Sequence, residues 1–209
     1  VVDGIVYFVN FSDQQLYRQL PDEAPQPLTN DPAMRYADMV LDAPRQRLIC
    51  VREDQSGTGE AAAAIVAIGL NGPADAGTIL LSGHEFYASP RVSPDGSQLA
   101  WLTWHHPNMP WDGTELWVGR LAENGSITHA QPVAGGAAES IFQPAWSPEN
   151  VLHFVSDRSE WWNLYRWQNG TIEPLQALDA EFGRPQWVFG MATYGFESAI
   201  ALICSYTQN

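Results

Sequence analysis

The chain has 209 residues, 45% of them apolar and 16% charged, which supports a sizeable core and excludes intrinsic disorder. Ten basic residues, all arginine, stand against 24 acidic ones for a net charge of −14. That balance argues against a nucleic acid partner, and the lack of lysine excludes a phosphate-loop or Schiff-base lysine in this chain.

Helical periodicity is nearly absent. Short apolar or alternating runs bounded by turn residues predict strands over 5–11, 47–52, 62–68, 98–104, 115–121, 151–156 and 163–167. Asn71-Gly72, Asp95-Gly96, Asn124-Gly125 and Asn169-Gly170 are predicted turns, because Asn-Gly and Asp-Gly favour the positive φ angles of tight hairpins. No apolar run reaches the roughly 18 residues of a membrane helix, so no membrane partner is expected.

The predicted strands recur. Ala43-Pro44-Arg45 precedes Arg47-Leu48-Ile49-Cys50, Ser93-Pro94-Asp95-Gly96 precedes Gln98-Leu99-Ala100-Trp101, and Ser147-Pro148-Glu149-Asn150 precedes Val151-Leu152-His153-Phe154. The three prolines are spaced by 50 and then 54 positions. Asp3-Gly4, and Tyr194-Gly195-Phe196 ahead of 199–203, are fainter echoes. The following strand repeats as well: Leu16-Tyr17-Arg18, Leu116-Trp117-Val118 and Leu164-Tyr165-Arg166, with Ala64–Ala67 a looser copy. Similar strands with variable hairpin loops at a period near 50 are the pattern of propeller blades, each a sheet of about four antiparallel strands. The expected fold is therefore all-β, a β-propeller region of about four to five four-stranded antiparallel blades, part of a larger propeller. Its approximate blades are 1–30, 31–83, 84–136 and 137–183, with a partial blade over 184–209.

Cys50 and Cys204 lie 154 positions apart, too few and too distant for a disulfide framework or zinc site, and both are expected as buried core thiols. Val1-Val2-Asp3-Gly4 is not a signal peptide and reads as the cut edge of a longer chain. The expected compartment is the cytoplasm.

Few residues are candidates for chemistry. His105 and His106 with Asp112 suggest a metal site, but neighbours in an extended segment point to opposite faces, so no metal and no cofactor is expected. The loop they share carries Trp111 and joins two strands of one blade. Trp161 and Trp162 occupy the equivalent hairpin of the next blade, one expected buried and the other exposed. These six residues, His105, His106, Trp111, Asp112, Trp161 and Trp162, are the candidates for a substrate or domain interface. Asp157 and Arg158 are expected to brace their hairpin through bidentate hydrogen bonds. The 24 acids offer carboxylate pairs for a glycosidase but do not select one.

Three stretches resemble the prolyl oligopeptidase family of serine peptidases, in its acylaminoacyl-peptidase and dipeptidyl-aminopeptidase branch. They are 89–101, beginning Ser89-Pro90-Arg91; 106–117, from His106-Pro107 to Leu116-Trp117; and Phe142-Gln143-Pro144-Ala145-Trp146-Ser147-Pro148 running into Val155–Arg158 and Trp161–Arg166. The segments 8–18 and 182–190 fit too. The resemblance implies an N-terminal propeller that covers an α/β-hydrolase domain bearing a Ser-Asp-His triad and helps shape a cavity for peptide substrates. No serine here sits in the Gly-x-Ser-x-Gly elbow such a nucleophile needs, so no catalytic residue is expected on this chain. The implied partners are the α/β-hydrolase domain of the same polypeptide and peptides, with self-association through exposed blade faces. A stand-alone propeller scaffold for binding, or a propeller glycosidase, is the alternative reading.

Overall fold

The computed structural model describes residues 1–71 and 74–208. Gly72 of the predicted Asn71-Gly72 turn lies outside the described residues. Two compact units are formed, Val1–Gly83 and His84–Asn209. Apart from one 3₁₀ turn at Ala43–Arg45, the regular structure among the described residues is β-strand.

The first unit holds a three-stranded sheet, β1 (Val6–Val9), β2 (Leu16–Gln19) and β3 (Gln26–Pro27). It also holds a four-stranded sheet, β4 (Met34–Asp42), β5 (Arg47–Asp54), β6 (Ala62–Gly69) and β7 (Thr78–Ser82). Its core is built from Leu16, Leu28, Tyr36, Leu48, Cys50, Val66 and Ile68, so strands of both sheets share one apolar layer. At the β4–β5 corner, Asp42 is fully buried yet paired, accepting from Arg45 at 2.9 Å and Arg47 at 2.7 Å. That pairing offsets the cost of burying its charge.

The second unit holds two four-stranded meanders. One is β8 (Phe86–Val92), β9 (Gln98–Trp104), β10 (Glu115–Leu121) and β11 (Ile127–Gly135); the other is β12 (Ile141–Trp146), β13 (Leu152–Ser156), β14 (Asn163–Gln168) and β15 (Thr171–Pro174). A two-stranded ribbon, β16 (Tyr194–Phe196) with β17 (Leu202–Cys204), follows. Tyr194-Gly195-Phe196 is thus a strand paired with 202–204, not a turn leading into one. Every sheet is antiparallel and ordered as in the sequence, the topology of propeller blades.

Both faces of the inner strands are covered, which explains their near-continuous apolar runs. In β13, Leu152 and Phe154 join the layer shared with Ala100, Leu102 and Leu116, whereas Val155 joins Phe142, Leu164, Phe182 and Tyr194 on the opposite side. Each fully buried side chain of this size contributes ~1.5–3 kcal/mol relative to exposure. The aromatic residues are placed directly opposite one another across strands: Phe8 with Tyr17, Phe86 with Trp104, Trp101 with Trp117, and Phe154 with Tyr165, all stacked.

The first strand of each four-stranded sheet carries a bulge at the same place. The pairing register shifts between Ala37 and Val40, between Ala88 and Arg91, and between Phe142 and Ala145. Each shift holds a non-glycine residue with positive φ: Asp38 at 50°, Ser89 at 52° and Gln143 at 50°. A bulge with a left-handed residue bends the strand and increases its twist. At Gln143 the reoriented side chain is used: its Oε1 accepts from Thr193 N at 2.6 Å and its Nε2 donates to the Tyr194 carbonyl at 2.7 Å. These bonds tie β16 to β12.

Candidate functional site

The β9–β10 connection, from His105 to Thr114, is a pinned platform. The Asp112 carboxylate accepts from Met109 N at 2.8 Å, and Asp112 N returns to the Met109 carbonyl at 2.9 Å, closing a local turn. Asn108 Nδ2 donates to the Ala137 carbonyl at 2.9 Å, and Ser140 Oγ donates to the Pro110 carbonyl at 2.8 Å. Gly113 is required here, because a Cβ would lie 2.6 Å from the Gly136 carbonyl oxygen. Pro110 is buried, whereas Trp111 is half-buried and turned outward.

An irregular segment, 183–192, faces this platform. Trp187 is 71% exposed, Val188 65% and Phe189 46%, although all are large apolar residues. The Trp187 ring lies 4.2 Å from that of Trp111, tilted by 47°. Together with Trp104 and Met109 they line an open cleft of about 420 Å³, completed by Pro110 and the amide side chain of Gln186. Among the described residues no charged side chain lines it. Trp104 is fixed from behind by stacking on Phe86, with ring centroids 5.2 Å apart.

Of the six residues the sequence singles out, Trp111 enters this cleft. His105 and His106 stand beside it, in a smaller recess of about 180 Å³ with Pro107 and Glu115. His105 Nε2 lies 2.9 Å from His84 Nδ1, and its Nδ1 lies 3.3 Å from Glu85 Oε2. His106 turns away and meets Phe86 edge-on. Burial first, and the neighbouring His105 second, hold His84 below the ordinary imidazole value. The His106 backbone N–H donates to Glu85 and is the main cause of that carboxyl's lowered pKa. Among the described residues no group of three or more His, Cys, Asp or Glu is arranged to hold a metal ion.

Trp161 and Trp162 lie outside the cleft. Both are half-buried, where one buried and one exposed ring were expected, because neither residue lies in a strand. Trp162 lies against Gly183 and stacks on Phe142, and its backbone N–H donates to Glu181 Oε2 at 2.9 Å. Arg158 makes its bidentate contact with Glu139, at 3.0 and 3.2 Å, while Asp157 accepts from Ser140 N at 2.8 Å. The hairpin is braced, but by two separate pairs. Trp187, Val188 and Phe189 escaped the sequence-based site list; the signals present were the family resemblance of 182–190 and a short apolar run.

No family model matches the chain, and a search of curated proteins finds no significant match. Solved structures do match. A serine-to-alanine mutant of puromycin hydrolase complexed with PGG is 35% identical over 99% of this chain and 34% of its own, with a TM-score of 0.92. A puromycin-hydrolyzing peptidase of Mycobacterium tuberculosis is 34% identical, with the same coverages and a TM-score of 0.88. TolB from Acinetobacter baumannii, 18% identical over 83% of this chain and 41% of its own at a TM-score of 0.56, shares the fold alone. The chain spans about a third of the length of the puromycin-hydrolyzing proteins.

The protein is thus an all-β propeller region. Over 99% of its length it is similar to puromycin hydrolase, a peptidase of the prolyl oligopeptidase family, and it is a propeller region of such a protein.

Proposed function

We propose that this region is the non-catalytic propeller of a serine peptidase, and that it restricts entry and positions substrates for an α/β-hydrolase domain of the same polypeptide. The observation that carries the reading is the 35% identity to puromycin hydrolase across 99% of this chain but only 34% of that protein. The pinned 105–114 platform and the aromatic cleft are the surface we assign to substrate handling, with Trp111 in the cleft and His105, His106 and Asp112 shaping its edge. Trp161 and Trp162 serve the packing of their hairpin. The substrates proposed are short peptides and aminoacyl amides, puromycin among them by likeness to the matched enzymes. We take the sheets as successive blades with boundaries near residues 31, 84, 137 and 184, and expect the isolated region to self-associate through apolar blade faces.

Two free thiols, Cys50 and Cys204, suit a reducing compartment, so the cytoplasm is the location we propose. No helix among the described residues is long and apolar enough to cross a membrane.

The test uses the intact polypeptide that contains this chain. It should hydrolyse puromycin and aminoacyl p-nitroanilides, and a fluorophosphonate should label a serine outside residues 1–209. Absence of hydrolysis, or a label on a serine of 1–209, would overturn the proposal. Slower cleavage as peptides lengthen is the expected mark of restricted entry, and length-independent cleavage would remove that part.

A further inference from the structure

We infer that His84 and His105 form a proton-controlled latch, which holds the head of the 105–114 connection against the start of β8 with up to one added proton and releases it with two. The inference goes beyond the peptidase reading and involves no substrate.

The geometry carries it. His84 and Glu85 lie just before β8, and His105 just after β9. His84 Nδ1 and His105 Nε2 are 2.9 Å apart with ring centroids at 5.0 Å, so the two nitrogens face one another. A gap of that length holds one proton. On its other side, His105 Nδ1 lies 3.3 Å from Glu85 Oε2. A carboxylate only accepts, so the proton of neutral His105 sits on Nδ1, its Nε2 accepts, and His84 Nδ1 donates. Both ring nitrogens of His105 are thereby used. The same Glu85 oxygen accepts from the His106 backbone N–H at 2.6 Å, so the cluster holds two consecutive residues of the connection.

The first added proton goes to the far nitrogen of His84 and leaves the bond between the rings in place. A second puts hydrogen on both facing nitrogens and positive charge on both rings, and the contact breaks. His84 is faced by His105, by the Glu115 carboxylate from β10, and by the rings of Trp117 and Tyr87, whose hydroxyl accepts the His84 backbone N–H. Glu115 favours the charged imidazole, but burial and His105 outweigh it and hold His84 below the ordinary value. Glu85 faces both His105 and His106, and its lowered pKa, due chiefly to the His106 N–H, keeps it an ionised acceptor. Release therefore falls on the acid side of the ordinary imidazole range. Every contact joins residues of the β8–β11 sheet and its β9–β10 connection, so the latch needs no open surface.

The test is hydrogen exchange by mass spectrometry on the intact polypeptide at about pH 8 and about pH 5.5, corrected for intrinsic exchange rates. Protection of 105–114 should fall about tenfold at the acidic value, and by more than that of β12, which reports opening of the packed core. His84→Gln and His105→Gln each install an uncharged side chain that still forms hydrogen bonds, and each should abolish this excess. His105 is exposed and His84 half-buried, so both variants are expected to fold, which exchange in β12 checks. Should a variant fail to fold, the wild-type comparison of 105–114 with β12 still decides. An equal fall in both segments, no fall, or an excess that survives in either folded variant would overturn the inference. Failure of the polypeptide to hydrolyse peptides would remove the peptidase reading and leave this result unchanged.

Discussion

The indole N–H of Trp146 donates to the backbone carbonyl of Arg91 at 2.9 Å, joining residues 55 positions apart. Trp146 ends β12 and Arg91 lies just past the bulge of β8, so the bond links neighbouring sheets at corresponding points of the repeat. Asp95 N does the same with Asn150 Oδ1 at 3.0 Å, turn to turn. Trp146 is buried and the bond is part-buried, so replacement by Phe removes this donor from the Arg91 carbonyl. Trp146→Phe should lower the unfolding free energy by about 1–3 kcal/mol, read as a lower urea midpoint at unchanged m. An unchanged midpoint would show that the sheets do not depend on this bond.

Gly183 is set by Trp162. A Cβ at 183 would lie 1.8 Å from Trp162 Cε3, inside the ring's own volume. Gly183→Ala should therefore displace an indole that stacks on Phe142, at a cost of ~1–3 kcal/mol. Differential scanning calorimetry should show a lower Tm.

Two histidines set a pH dependence of stability. Burial lowers the pKa of His153, and burial with the nearby His105 lowers that of His84. The unfolded chain therefore binds protons before the folded one as pH falls through the ordinary imidazole range. Their contribution to stability is complete above that range and is lost as pH drops through it towards the folded-state values. Urea unfolding at about pH 8 and about pH 5.5 should give the lower midpoint at the acidic value, with His84→Gln reducing the difference. An equal or higher midpoint in acid would contradict this.

The two thiols should differ sharply. Cys50 is fully buried between Tyr36 and Val66, and burial pushes its thiol up to about 12. Cys204 is exposed on β17, against the sequence-based expectation that both are core residues. Titration with a disulfide reagent should modify one thiol in the native protein and two in denaturant, since the thiolate is the reactive form. Mass spectrometry should place the native adduct on Cys204.

What the sequence determined is local. The spans 98–104 and 115–121 emerge as strands with the bounds read from apolar alternation, because side-chain period and flanking turns are properties of neighbouring residues. The turn chemistry of Ser93-Pro94-Asp95-Gly96, repeated at Ser147-Pro148, gave the period and with it the blade architecture. Tertiary structure decided the rest. The left-handed bulges at Asp38, Ser89 and Gln143 occur at non-glycine residues with no common side chain, so composition carries no mark of them. Arg158 chose Glu139 over its neighbour Asp157 because adjacent strands bring residue 139 within reach. The cleft brings Trp111 against Trp187, 76 positions away, and leaves the second ring in solvent. Exposure is a property of what fails to pack on a residue, and that is decided only when the whole chain has folded.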